Sequence, residues 1–258
     1  MNERPNSNAP QNDDVSYSIA DLRYFTDDQF QQFYDYISDD RKKKADSYKL
    51  KQDWKLSVLA SFQLERLLES MGVKRPVHYT TTPGGKPLLD MKNTEFENAS
   101  AAKTDADLKD ASTAKADADL KDASTAKADG KKEIFFSISH SGNFATAVVS
   151  DKYSVGIDVE DVTSKKRDVN KLMKVADKYF LPEEIALINE ATKGDERALP
   201  GAFYRIWTMK EAYMKAVGKP LLEVFREKRY DPDDIALKQK YNSEAIFSIY
   251  RVVPEGEK

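Results

Sequence analysis

Between residues 134 and 160 the apolar side chains recur at every second position, whereas on both sides of that stretch they recur at helical spacing. A chain patterned this way must pack a sheet against helices. Residues 134–138, 144–149 and 153–160 are expected to form three strands separated by polar or glycine-containing turns. Upstream, Thr26 followed by Gln29 reads as a capping box opening a helix with Phe30, Phe33 and Ile37 on one face. Ser38 is expected to cap the next helix, whose first turns hold Arg41, Lys42, Lys43 and Lys44. A long amphipathic helix is predicted over about 52–71, with Leu56, Leu59, Ala60, Leu64, Leu67, Leu68 and Met71 as its apolar stripe and Gly72 as its stop. A short strand over 77–81 leads into the turn Pro83-Gly84-Gly85-Lys86-Pro87.

Downstream, Val169, Leu172, Met173, Ala176, Tyr179 and Phe180 form a helical stripe, and Pro182 opens a short helix carrying Ile185 and Ile188. A helix over 207–217 ends at Gly218, and residues 245–253 read as a closing strand. Helices interleaved with hairpins favour an α+β arrangement over a doubly wound parallel sheet.

Composition removes several kinds of chemistry. The 258 residues include no cysteine and two histidines, which excludes thiolate catalysis and a disulfide framework and argues against a histidine-built zinc site. Charged residues make up 33% of the chain yet nearly cancel, to a formal net of −3, so no nucleic-acid partner is expected and any anion site must be a local cluster. Residues 1–14 are polar and read as a disordered tail rather than a signal peptide. No stretch is long and apolar enough to span a membrane, so the expected location is the cytoplasm. Residues 101–112 nearly repeat as 113–124, and a third copy begins at Thr125. Leu108 and Leu120 are the only large apolar residues of the two copies, so residues 93–132 read as a low-complexity surface insertion.

Three phrases carry chemistry. In the strand 153–160 alternate side chains face opposite ways, which puts Tyr153, Val155, Ile157 and Val159 toward a core and Asp158 and Glu160 on the other face. Gly156 leaves room beside them. Two carboxylates facing one way repel unless a cation lies between them, and hard oxygens point to Mg²⁺; alone, the pair could equally be a solvated edge. On the helix, Trp207, Glu211 and Lys215 lie at i, i+4 and i+8 and share a stripe. That pattern reads as a functional face, or as a core anchor followed by a surface ion pair. His140 ends Ser137-Ile138-Ser139-His140 before the turn at Gly142 and could be a ligand or a hydrogen-bonded turn residue; His78 is assigned to structure. The Gly-Gly-Lys-Pro turn lacks the spacing of a Walker loop.

Taken together and in this order, the Gly-Lys-Pro turn, Ile138-Ser139-His140-Ser141, Gly156-Ile157-Asp158-Val159-Glu160 and Trp207-Thr208-Met209-Lys210-Glu211 through Lys215 resemble the Sfp-type 4′-phosphopantetheinyl transferases. The resemblance covers about residues 36–92 and 133–222. It implies a pseudo-twofold pair of similar α+β lobes: residues 15–154 with the insertion, then 155–258. It implies Asp158, Glu160 and Glu211 as Mg²⁺ ligands, and Glu211 and Lys215 as the catalytic base and the group that meets the departing phosphate. Arg41, Lys44, Lys55, Lys86, Ser139, His140 and Lys210 are implied as contacts to coenzyme A. Leu181 departs from the polar cap expected before Pro182. The implied activity is that of a holo-[acyl-carrier-protein] synthase. It moves the phosphopantetheine arm of coenzyme A to a serine of an apo acyl or peptidyl carrier protein, and the enzyme works as a cytoplasmic monomer. Rival readings are a non-catalytic binder of coenzyme A or of a carrier, and another Mg²⁺-dependent nucleotide enzyme.

Overall fold

The computed structural model describes residues 14–82, 85–97, 133–163 and 168–254. Pro83 and Gly84, almost all of the expected tail and most of the expected insertion lie outside the described residues. At the edges of those two segments a few residues are described. The Asp14 carbonyl accepts the Ser150 hydroxyl at 2.6 Å, and Phe96 bridges Val73 while Glu97 donates to the Gly72 carbonyl. Residues 93–97, which fall within the expected insertion, are thus tied to the turn after the third helix.

The chain is α+β, as its patterning implies. Strand β1 (Ser16–Asp21) precedes three helices, α1 (Asp27–Tyr36), α2 (Asp39–Asp46) and α3 (Lys51–Ser70). The hairpin β2–β3 (Tyr79–Thr81, Pro87–Leu89) follows, then β4 (Phe135–Ser141), β5 (Phe144–Ser150) and β6 (Val155–Asp161). After α4 (Val169–Tyr179), α5 (Pro182–Ala191), α6 (Leu199–Val217) and α7 (Leu221–Glu227) come β7 (Leu237–Tyr241) and β8 (Ala245–Arg251).

Local signals act where the sequence places them. Thr26 and Gln29 form the capping box of α1, and Gly218 closes α6 with a left-handed φ of 69°. Ser38 does occupy the N-cap position of α2, but its hydroxyl makes no cap bond. The buried Glu65 carboxylate of α3 takes the Ser38 backbone N–H instead, at 3.0 Å to each oxygen. At α5, Leu181 offers no side-chain acceptor, and Glu184 receives the Leu181 N–H at 2.9 Å.

Two three-stranded antiparallel sheets form, ordered β1-β5-β4 and β6-β8-β7. In each, the strand that leads into the helices lies on one edge, and the last strand of the following hairpin takes the centre. On β5, Ala145, Ala147 and Val149 pack under α1 and α3, while Phe144 and Val148 turn to the opposite face. That opposite face meets Val155, Ile157 and Val159 of β6 and Ile249 of β8. The far side of the second sheet lies under α6, where Ile246, Ser248 and Tyr250 meet the helix. The layers thus run helix, sheet, sheet, helix, and alternation along each strand decides which neighbour a side chain meets.

Gly156 sets how closely α6 approaches β6. A Cβ there would lie 2.0 Å from the Ala212 carbonyl oxygen and 2.6 Å from the Ala216 nitrogen. The glycine gives the helix backbone its seat on the strand, beyond leaving room for the acids. Among the described residues no helix is long and apolar enough to cross a membrane.

Candidate active site

The edges β4 and β6 of the two sheets lie side by side. Ser139 donates to Asp158 Oδ1 at 2.8 Å, and Ser141 donates to Glu160 Oε2 at 2.8 Å. Both partners advance by two residues together, so the strands run in the same direction and are joined here through side chains. Asp158 and Glu160 share the face expected from alternation. Asp158 is buried, and its Oδ2 has no hydrogen-bond partner.

Helix α6 brings the second half of the site. Lys215 reaches back to donate to Asp158 Oδ1 at 2.7 Å, Ser139 Oγ at 3.1 Å and the Ile157 carbonyl at 3.1 Å. Glu211, one turn earlier, has its carboxyl pushed up to about 7 by burial and by the like charges of Asp158 and Glu160, with Lys215 opposing. Lys86 spans from the β2–β3 hairpin to donate to the Lys215 backbone carbonyl, and burial lowers its pKa. Trp207 takes the core role of its two readings, stacked on Phe203 at 5.8 Å and edge-on to Phe225 at 5.2 Å.

His140 belongs to strand β4 itself and faces the helices of the first half. Its ring meets Tyr48 edge-on at 6.0 Å. Burial lowers its pKa; Asp53 opposes this, and the positive charges of Lys215, Lys44 and Arg41 add to it. Lys44 is exposed, with its ammonium over Tyr48 at 5.0 Å. Arg41 is buried, donating from Nε to Ser61 at 2.9 Å and lying over the Tyr79 ring. The positive charges of Lys215, Lys44 and Arg41 act on a half-buried imidazole here, against the negative charge of Asp53.

Two expected site residues point elsewhere. Lys210 is buried against Glu184 at 2.9 Å, away from the seam, because it lies about 100° around α6 from Glu211. Lys55 pairs with Asp27 of α1. It lies two residues, about 200°, past Asp53, the α3 residue whose charge acts on His140. Tyr48 and Asp53 were not anticipated beside His140, and Ser141, although part of the quoted phrase, was given no role. Of these Ser141 was legible, since it follows Ser139 at the strand period.

The residues were tested against a divalent cation. As they lie, no three His, Asp or Glu side chains among the described residues form a ready-made metal cluster. Lys215 holds one oxygen of Asp158 and Ser141 holds one of Glu160. The donor set nonetheless fits a hard cation: a buried carboxylate oxygen lacks a partner, and the charge of Glu211 is disfavoured by its acidic neighbours.

Residues 154–254, which include Asp158, Glu160, Glu211 and Lys215, match the family model of the 4′-phosphopantetheinyl transferase superfamily. This stretch resembles that superfamily. HetI, a 4′-phosphopantetheinyl transferase of Nostoc sp., is 35% identical over 85 residues, covering 33% of this chain and 33% of HetI. The 4′-phosphopantetheinyl transferase of Bacillus subtilis is 29% identical over 118 residues, 45% of this chain and 48% of that protein. The human L-aminoadipate-semialdehyde dehydrogenase-phosphopantetheinyl transferase is 27% identical over 115 residues, 43% and 37% of the two chains. The likeness therefore spans less than half the length of each of these transferases. Ser139, His140, Lys86, Lys44 and Arg41 all precede the stretch that matches the superfamily model.

Proposed function

We propose that this chain is a 4′-phosphopantetheinyl transferase that moves the phosphopantetheine arm of coenzyme A to a serine hydroxyl of an apo acyl or peptidyl carrier protein, releasing 3′,5′-ADP. The observation that carries this reading is the convergence of Asp158, Glu160, Glu211 and Lys215 at the β4–β6 seam, on the strand pair that also carries Ser139 and His140. Such a site offers charge neutralisation and positioning, the two needs of phosphoryl transfer, and leaves the nucleophile to the partner.

In this reading Asp158, Glu160 and Glu211 would hold Mg²⁺. When bound, the ion supplies charge neutralisation at the pyrophosphate. Asp158 would offer the ion its unpartnered Oδ2, and the Lys215 ammonium would meet the departing phosphate. Glu211 would also accept the serine proton as general base. Ser139, His140 and Lys86 line the coenzyme A side of the seam, and Lys44 and Arg41 add positive charge for its phosphates. The repeated strand order, β1-β5-β4 and β6-β8-β7, each with a long helix across one face, supports two similar lobes related by a pseudo-twofold and joined near residue 155. A cytoplasmic monomer with no nucleic-acid partner completes the proposal.

Intact-protein mass spectrometry of an apo carrier incubated with the protein, coenzyme A and Mg²⁺ tests it. The expected outcome is a mass gain of one phosphopantetheine arm, lost on adding a chelator. Several unrelated carriers left unmodified, while a control transferase converts them, would hand the lead to a non-catalytic binder.

Cation binding to the free protein should also depend on pH. A proton and a cation compete for Glu211, whose carboxyl titrates at about 7, so affinity falls as pH drops through that value. Calorimetric titration with Mn²⁺ at pH values either side of 7 measures this, and an affinity constant across that range would remove Glu211 from the ligand set.

A further inference from the structure

Helix α6 shows Glu211 and Lys215 to the seam and buries Lys210 on another side. The Lys210 side chain is 0% exposed and that of Glu184 is 1% exposed, so this charge pair is sealed from water. Lys210 Nζ meets Glu184 Oε2 at 2.9 Å and donates to the carbonyls of Phe225 at 2.9 Å and Lys228 at 2.7 Å. Those contacts use all three N–H bonds of the ammonium. Glu184 in turn accepts the backbone N–H of Leu181 at 2.9 Å and of Tyr230 at 2.7 Å. The rings of Phe180 and Phe225 lie 5.9 and 5.4 Å from the ammonium. One pair thus ties together α5, α6, the end of α7 and the chain leading to Tyr230.

Net stability is a poor account of such a pair, because desolvation offsets most of the attraction and packed apolar side chains often serve as well. Geometry is a better one. The contact of Gly156 with Ala212 and Ala216 sets the distance of α6 from β6, but contacts of small residues do not by themselves set the rotation of the helix. An ammonium with three fixed acceptors does not follow such a rotation without losing them. We infer that Lys210 and Glu184 are positioning residues that fix the rotation of α6, and with it the direction in which Glu211 and Lys215 enter the seam. The inference rests on the transferase reading for its kinetic readout, although both side chains are sealed away from the seam.

The double variant Lys210→Met/Glu184→Leu removes both charges and keeps the site filled. It should remain folded, with a thermal midpoint near that of the parent. Its kcat for carrier modification should fall on the order of 10-fold or more, since a shift of about 1 Å can cost 10²-fold. KM for coenzyme A should change little. A folded double variant with the parental kcat would overturn the inference, as would a kcat that falls only in step with the folded fraction. Should the double variant not fold, Glu184→Gln is measured where circular dichroism shows it folded, and the same split of kcat from KM decides. The parent enzyme assayed alongside separates the two ideas. If the parent transfers nothing, the functional reading fails, and the positioning role is judged by amide hydrogen exchange over residues 209–216 and 225–230. Faster exchange in both segments of the variant supports it; parental protection in both overturns it.

Discussion

Glu211→Gln should lower phosphopantetheine transfer by about 10²–10⁴-fold, the contribution of a positioned general base, while leaving coenzyme A affinity largely intact. The substitution keeps the shape of the side chain at a half-buried position. It removes one negative charge from a group of three whose mutual repulsion, with burial, has pushed the Glu211 carboxyl up to about 7. The same shift makes a statement about stability. A carboxyl raised in the folded state stabilises the fold below its unfolded pKa, and that stability is lost as pH rises through about 7. At pH 8 the Gln variant should therefore unfold at an equal or higher urea concentration than the parent, while its turnover collapses. Transfer assays and urea titrations on one preparation read both effects, and near-normal turnover would strip Glu211 of its proposed role.

Gly156→Ala should strongly destabilise the fold. The new carbon would stand 2.0 Å from the carbonyl oxygen of Ala212 and 2.6 Å from the nitrogen of Ala216. Both neighbours are helix backbone, so no rotamer change relieves the clash and α6 must move off β6. Overpacking a core typically costs about 1–3 kcal/mol; a backbone clash on both sides puts this site at the upper end of that range. Displacing α6 also carries Glu211 and Lys215 away from Asp158, so the protein that remains folded should lose on the order of 10²-fold in transfer. Parental stability in urea would mean that strand and helix are not seated on one another here.

How far the sequence carried the reading depends on the range of the forces involved. Thr26 with Gln29 and Gly218 act within one helical turn, and each did what its local chemistry dictates. Alternation along β6 put Asp158 and Glu160 on one face, and helical spacing joined Glu211 to Lys215. Strand β7 was not foreseen, because Lys238 and Lys240 on an edge strand are stabilised by the Tyr17 ring of β1, 4.5 and 5.7 Å away. Strand β1 was hidden beside a polar segment, and its own weak alternation gains meaning only through pairing with β5. Helix α6 starts at Leu199, well before Trp207, because Pro200 fits a first turn and Gly201 meets no steric demand. Lys210 and Lys55 lie away from the seam for one shared reason. A motif fixes the order of residues, whereas which side of a helix a lysine takes depends on the acid that answers it, here Glu184 and Asp27.

The pairing of Ser139 with Asp158 and of Ser141 with Glu160 has a consequence for inheritance as well as for chemistry. The proposed site is owned jointly: one half of the chain contributes hydroxyls and imidazole, the other carboxylates and ammonium. A fragment holding only residues 154–254 would keep the acids and lose every group that answers them from β4. Selection on this pocket therefore acts on the junction as a unit, and a change in either half is felt as a change in the fit of the other.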